Sequence, residues 1–162
     1  MKKTKRLATL AILVALSMIF SFIESRIPTF VPIPGIKIGL ANIMTLFALY
    51  RLGAKDAMYI SAVRVSLSSI LFGTLTSFLY ASAGAAVSLA VMLLFKKWDK
   101  LSLVGVSVLG AVSHNIAQIG VASLLLGTNV VIYYLPFLLL SGTVAGIAVG
   151  VIGAVPVKKI KL

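Results

Sequence analysis

The sequence predicts an all-α integral membrane protein with six transmembrane helices and both termini in the cytoplasm. Apolar residues make up 60% of the 162-residue chain and charged residues only 11%, against about 25% charged residues in soluble domains. Of the 15 Lys and Arg residues, 12 lie at the chain termini or in every second gap between apolar runs, whereas only Arg26 and Lys37 lie in the other gaps and Arg64 lies within a run. Because short loops retain Lys and Arg on the cytoplasmic side, this alternation indicates an even number of membrane crossings.

Six apolar runs follow one another, and charged or turn-forming residues bound each of them. The first follows a basic N-terminal segment and ends before Glu24, and the second ends near Arg51. The third ends at Gly73, the fourth ends before Lys96, and the segment 127–129 separates the fifth from the sixth. In a single transmembrane domain covering residues 1–162, the predicted spans are 6–23, 38–52, 56–73, 77–95, 103–126 and 133–155.

The second and third spans are short for a hydrocarbon core of roughly 30 Å at about 1.5 Å per residue. We therefore expect them to be tilted, shielded by neighbours or flanked by thinned lipid, and to line a cavity. Three prolines between the first two spans exclude a helix there, although segment 27–36 is largely apolar. Such a segment should cover protein or a cavity mouth; the alternative is an interfacial reentrant segment without ligand contact.

Charge and cysteine content exclude several classes of protein. The net charge of +12 lies in short caps between apolar runs, so we expect no nucleic-acid binding. The absence of cysteine excludes disulfides and thiolate chemistry. A Gly-rich nucleotide-binding loop is also absent, so energy for any transport has to come from partners or an ion gradient. The first apolar run lacks a small-x-small cleavage pattern, and we expect it to be retained as a helix.

Arg64 lies near the middle of the third span, between Asp56 and Gly73. An Arg at the centre of a membrane helix costs at least about 2.5 kcal/mol, so it should face the bundle interior and have a partner. The three acidic residues of the chain all belong to the ends of spans. Either amides, hydroxyls and carbonyls surround Arg64 as a structural tie, or its counter-ion arrives with a ligand.

A polar cluster occupies the middle of the fifth span, at His114, Asn115 and Gln118. His114 and Gln118 share a helix face, and Asn115 is rotated by about 100° from His114. Counted from the cytoplasmic ends, His114 and Arg64 lie within about one helical turn in depth, which makes a shared cavity feasible. The alternative is an interhelical hydrogen-bond cluster. A lone histidine without cysteines or a carboxylate cluster does not indicate a metal site, and we expect no cofactor.

Lys37, at the start of the second span, and Asn42, near its outer end, complete the candidate site. The predicted substrate-binding residues are Lys37, Asn42, Arg64, His114, Asn115 and Gln118. These side chains are mainly donors or cations, which favours an anionic or carbonyl-rich solute.

Small residues recur at three- and four-residue intervals in two spans. The row Gly142, Gly146 and Gly150 permits close backbone approach, and we expect it to pack inside the bundle. One face of the first span also consists of small residues and permits close approach of another helix. This face either packs internally or docks another protein. This face consists of Ala8, Ala11 and Ala15.

Three segments of the chain carry a family resemblance. Residues 34–42 are PGIKIGLAN, Arg64 is followed by Gly73, and residues 105–118 are GVSVLGAVSHNIAQ. Together they resemble the Gx transporter family, also labelled heptaprenyl diphosphate synthase component I, over nearly the whole chain. That family is in turn similar to the substrate-binding S components of energy-coupling factor (ECF) vitamin transporters.

The resemblance implies a fold, a site and partners. S components are six-helix bundles with cytoplasmic termini and an outer segment that caps the ligand. Their Ala-x3-Ala motif, matched here by Ala11 and Ala15, docks a transmembrane T component that works with two ATPase subunits. The resemblance thus implies an S-component-like bundle in the cytoplasmic membrane that captures a small vitamin-like or precursor solute from outside. The second label implies an alternative, a membrane accessory subunit of a prenyl diphosphate synthase system.

Catalysis by this chain alone is not expected. Prenyl chain elongation needs aspartate-rich clusters that hold magnesium on diphosphates, whereas the only acidic residues are Glu24, Asp56 and Asp99. An autonomous ion-coupled carrier is also disfavoured, because no carboxylate lies at the midplane of a span to carry protons or sodium. We therefore expect a binding protein rather than an enzyme.

Overall fold

The computed structural model describes residues 3–26, 39–98 and 100–160, and these ranges are helical with no strand. The predicted all-α class is therefore confirmed, whereas the apolar segment 27–36 lies outside the described residues. The helices are α1 (Lys3–Arg26), α2 (Asn42–Arg51), α3 (Ala54–Phe72), α4 (Leu75–Trp98), α5 (Leu103–Leu126) and α6 (Leu135–Lys159), with a 3-10 helix at Val130–Tyr134.

Four segments of the described chain are long and apolar enough to cross a membrane. They are α1, α4, α5 and Val130–Lys159, which contains α6. α3 has 19 residues but carries Lys55, Asp56 and Arg64, and the 10 residues of α2 give only about 15 Å of helix. The chain is therefore a membrane protein with several helices of spanning length.

The helices extend beyond most of the predicted spans, because the prediction followed apolar runs. Helical hydrogen bonding continues into flanking Lys, Arg and Glu residues, which are good helix formers. α5 keeps the predicted bounds 103–126, whereas α6 starts two residues late because a 3-10 helix precedes it. The corrected bounds are 3–26 for 6–23, 54–72 for 56–73, 75–98 for 77–95 and 135–159 for 133–155.

The predicted second span, 38–52, contains a shorter helix at 42–51. Gly39 has a φ of 78°, and the Asn42 backbone N–H donates to the Gly39 carbonyl at 2.9 Å. This turn delays the start of α2. A Cβ built on Gly39 would lie 3.8 Å from Val149, near the middle of α6. α2 therefore begins part-way down the bundle.

α2 is shielded by protein, which is one of the three arrangements anticipated for a span of this length. It packs against α1, α3 and α6. The core around it joins Leu46 and Leu49 to Ile60 of α3 and Val106 of α5, all at most 1% exposed. The other buried residues of α2 are Ile43, Thr45, Phe47 and Ala48.

Polar contacts place four helix termini at one end of the bundle, here called the basic end. Arg6, near the start of α1, donates from Nε and Nη2 to the carboxylate of Asp56, near the start of α3, at 3.1 and 2.6 Å. Lys96 Nζ, near the end of α4, donates to the carbonyl of Leu49, near the end of α2, at 2.5 Å. The other termini of these four helices, which are the ends of α1 and α3 and the starts of α2 and α4, therefore lie toward the opposite end.

Candidate functional site

A cavity of about 360 Å³ opens among the helices, and all six α-helices contribute to its wall. Its volume lies near the lower end of the roughly 300–1,000 Å³ of ligand pockets, so it is suited to a small solute. Along α4 the wall runs from Ser77 to Met92, which is about 22 Å of helix. The exposed lining residues Phe72, Gly73 and Thr74 mark a rim at the end away from the basic end.

Five of the six predicted substrate-binding residues line this cavity. They are Asn42, Arg64, His114, Asn115 and Gln118. Lys37 lies outside the described residues. The depths of Arg64 and His114 made a shared cavity feasible, and the mid-span polar residues of α3 and α5 line one cavity, whereas binding by these residues stays a prediction.

Arg64 lines the cavity and has a protein partner. Its Nη2 donates to Asn42 Oδ1 at 3.1 Å. Arg64 Nε is buried and has no hydrogen-bond partner among the described residues. The contact with Asn42 is possible because α2 begins part-way down the bundle, beside the middle of α3. Asn42 thus supplies part of the structural tie anticipated for Arg64, and the buried Nε–H remains available to a ligand.

Glu24 is a lining residue that the sequence analysis left out of the site. Its carboxylate accepts a hydrogen bond from the Gly39 backbone N–H, which joins the end of α1 to the turn before α2. Ser21, Glu24 and Ser25 line the cavity together. Their spacing of three and four residues, which puts them on one helix face, was the signal in the sequence.

His114 and Gln118 reach the cavity from α5. The His114 ring packs against Gly84 of α4, where a Cβ would lie 2.7 Å from its Cε1 and Nε2 atoms. Gln118 Oε1 is buried and has no hydrogen-bond partner among the described residues. An unpaired buried acceptor costs about 1–3 kcal/mol, so a ligand that donates to Gln118 would recover this cost.

Asn115 is partly committed to helix packing. Its Nδ2 donates to the Leu138 carbonyl of α6 at 2.6 Å, and its side chain is buried. The Asn115 amide packs against Gly142, where a Cβ would lie 2.6 Å from Asn115 Nδ2. For this residue the interhelical alternative is present in the structure. The glycine row of α6 is buried against α5, as predicted.

Hydroxyl groups that were not among the predicted site residues form much of the remaining wall. α4 contributes Ser77 and Ser88, which are separated by 3- and 4-residue steps through Ala81 and Gly84 and so share a face. Besides Ser21 and Ser25 of α1, the other lining hydroxyls come from Ser68, Ser69, Thr74 and Ser107. These groups donate and accept hydrogen bonds, so they impose no charge preference. In the described chain, no group of three His, Asp or Glu residues could hold a metal ion.

The predicted partner-docking residues lie away from the cavity. Ala8, Ala11 and Ala15 of α1 are exposed on the bundle surface. The neighbouring Ile12 is 60% exposed and Leu16 is 38% exposed. This face therefore combines small alanine side chains with exposed apolar ones. Internal packing of the alanines is therefore wrong within the described chain, and docking stays a prediction.

The cavity lies within a region of the chain that matches a known protein family. The family model described as heptaprenyl diphosphate synthase component I matches residues 13–155. No curated protein and no solved structure matches the chain. The matched range includes α2 to α5 complete, most of α1 and α6, and every lining residue of the cavity. The chain therefore belongs to the heptaprenyl diphosphate synthase component I family.

Proposed function

We propose that this chain is the solute-binding S component of an ECF-type importer in the cytoplasmic membrane. It captures a small organic solute from outside and releases it inward when a T component and two ATPase subunits move the assembly. The observation that carries the proposal is the polar cavity, in which Arg64 Nε and Gln118 Oε1 are buried without partners among the described residues. Ligand pockets combine such convergent polar groups with an apolar wall.

The proposal includes six membrane crossings with both termini in the cytoplasm. Arg6, Arg51, Lys55 and Lys96 lie at or near helix termini of the basic end. Lys and Arg in short loops favour the cytoplasmic side. The cavity rim at the opposite end then faces outward, which is the direction required for capture. α2 crosses only part of the bilayer as a helix, and its neighbours shield it.

Docking of a T component is assigned to the alanine face of α1. Small residues let membrane helices approach closely, and dispersion contacts then stabilise the pair. Leu in place of Ala11 and Ala15 should abolish co-purification with a T component while solute binding persists. The matched control is Ala62→Leu, because Ala62 is also an exposed alanine but lies on α3. Complex formation that survives the double substitution would show that the docking assignment is wrong.

The binding function itself is tested on the full chain purified alone in mild detergent. The protein is denatured, and the released small molecules are measured by mass spectrometry. We expect a water-soluble metabolite in near-stoichiometric amount, and we expect Arg64→Ala to reduce its rebinding without loss of the folded protein. A prenyl lipid, or no small molecule across repeated preparations, would contradict the solute-binding function.

The second candidate function is a membrane accessory subunit of a prenyl diphosphate synthase, which the description of the matched family favours. In that case the polar groups serve packing, as Asn115 partly does, and a soluble synthase co-purifies with the chain. A catalytic role is not proposed for either function. Arg6 and Glu24 are 18 residues apart on α1, which is roughly 27 Å of helix. Because Asp56 pairs with Arg6, the carboxylates of Asp56 and Glu24 lie near opposite ends of α1.

A further inference from the structure

The charges in the cavity wall change what the site should bind. Sequence considerations counted donors and cations, which favours an anion. In the described wall the charged side chains are Arg64 and Glu24, one of each sign. The formal charges of these two described side chains cancel. An anion bound to Arg64 would therefore lie in the field of a carboxylate in the same cavity, and in a site of low dielectric this repulsion is poorly screened.

The buried wall atoms without a hydrogen-bond partner include one donor and one acceptor. Arg64 Nε is a donor, Gln118 Oε1 is an acceptor, and both are buried with no partner among the described residues. A ligand that only accepts hydrogen bonds, such as a simple carboxylate, satisfies Arg64 and leaves Gln118 unpaired. A solute that also carries an N–H or O–H group satisfies both, and leaving a buried polar group unpaired is unfavourable.

Glu24 adds a second acceptor with capacity to spare. Its Oε1 accepts from the Gly39 backbone, whereas an ionised carboxylate has roughly four lone-pair sites. The hydrogen bond to Gly39 also fixes the carboxylate against the turn before α2. A fixed acceptor of this kind selects ligands by the position of a donor group.

On the proposed function as its basis, we infer that the solute has no net charge and is either neutral or zwitterionic. It carries a carbonyl or carboxylate acceptor for Arg64 and an N–H or O–H donor for Gln118 and Glu24. This class retains the carbonyl-rich solutes favoured by the sequence and excludes solutes with a net negative charge. It also excludes an unsubstituted prenyl chain, which has neither group.

The test uses the compound recovered from the wild-type protein by denaturation, first identified and then used as the probe in rebinding measurements. Glu24→Gln removes the negative charge but keeps an acceptor for the Gly39 N–H. For a donor-bearing solute without net charge, the variant should weaken binding about fivefold to tenfold, since hydrogen bonds to charged acceptors are stronger. For an anion, the same variant should tighten binding, because it removes repulsion. The direction of the change therefore distinguishes the two ligand classes.

Asp56→Asn is the matched control, because it neutralises a carboxylate near the basic end, and it should leave the dissociation constant unchanged. Gln118→Leu provides a second variant if Glu24→Gln does not fold, and it should weaken binding by a similar factor. A recovered compound with net negative charge, or tighter or unchanged binding by Glu24→Gln, would overturn this inference and leave solute capture intact. Recovery of a prenyl lipid, or of nothing, would overturn solute capture and the inference with it.

Discussion

Gly146→Ala tests whether the interface of α5 and α6 is as close as the structure describes. A Cβ at this position would lie 2.7 Å from Val108 Cα, which is 0.7 Å short of the 3.4 Å where ordinary contact begins. The Ser107 carbonyl oxygen and Ala111 Cβ would each lie 3.2 Å away. Two of these neighbours are backbone atoms, so no side-chain rotation relieves the contact and the helices have to separate.

The magnitude follows from a comparison with Gly120→Ala on α5, where a Cβ meets nothing within 4 Å. Both variants gain helix propensity, worth roughly 0.5–1 kcal/mol. Only Gly146→Ala adds the cost of overpacking, typically about 1–3 kcal/mol. The difference between the two variants therefore isolates that cost, and we expect Gly146→Ala to be less stable than Gly120→Ala by about 1–3 kcal/mol.

The assay is unfolding of the full chain in mixed micelles during titration with dodecyl sulfate. The fluorescence of Trp98, the only tryptophan of the chain, and the far-ultraviolet circular dichroism both report the transition. Equal free energies of unfolding for the two variants, within about 0.5 kcal/mol, would refute the close packing inferred for this interface.

Three further predictions concern other contacts. Gly84→Ala should displace the His114 ring, since a Cβ would lie 2.7 Å from it; we expect solute retention to fall about tenfold while the free energy of unfolding changes by about 1 kcal/mol, and unchanged retention would remove His114 from the site. Asn115→Ala should cost about 0.6–1.7 kcal/mol by loss of the 2.6 Å interhelical hydrogen bond, and a smaller loss in the same titration would contradict that tie. A double-mutant cycle of Arg6→Gln and Asp56→Asn should give only a small favourable coupling energy, since the Arg6 side chain is 51% exposed and solvent screens the pair, and additive effects would show that the ion pair adds nothing.

The shared position of Arg64 and His114 could be predicted because the bilayer restricts where polar side chains can go. A charged group at mid-span has to face the bundle interior, and residue counts along two helices give its depth. Both residues line the cavity. The length of the second span left tilting, shielding by neighbours or thinned lipid open, and the burial of Leu46 and Leu49, at most 1% exposed, shows shielding.

Other parts of the site depend on packing that no residue count reveals. Glu24 was assigned to the end of the first span, but its role follows from the turn at Gly39, whose backbone N–H it accepts. The delayed start of α2 follows from the same turn, and it brings Asn42 beside Arg64. Serines such as Ser88 could not be distinguished as lining residues, because Ser is also common where membrane helices pack. Asn115 and Gln118 are close together on α5. Asn115 donates to the Leu138 carbonyl and so ties α5 to α6, whereas Gln118 Oε1 has no partner among the described residues.

Glycines opposite the polar side chains explain how a cavity persists among closely packed helices. The His114 ring lies in the space left by Gly84, and the Asn115 amide lies in the space left by Gly142. Each side chain is thereby held against the wall of the cavity rather than across it. A protein interior is packed so densely that volume added at one point has to be accommodated at a neighbouring one. Added Cβ atoms at these two glycines would thus push polar groups inward, and the volume available to a solute would shrink before the helices separate.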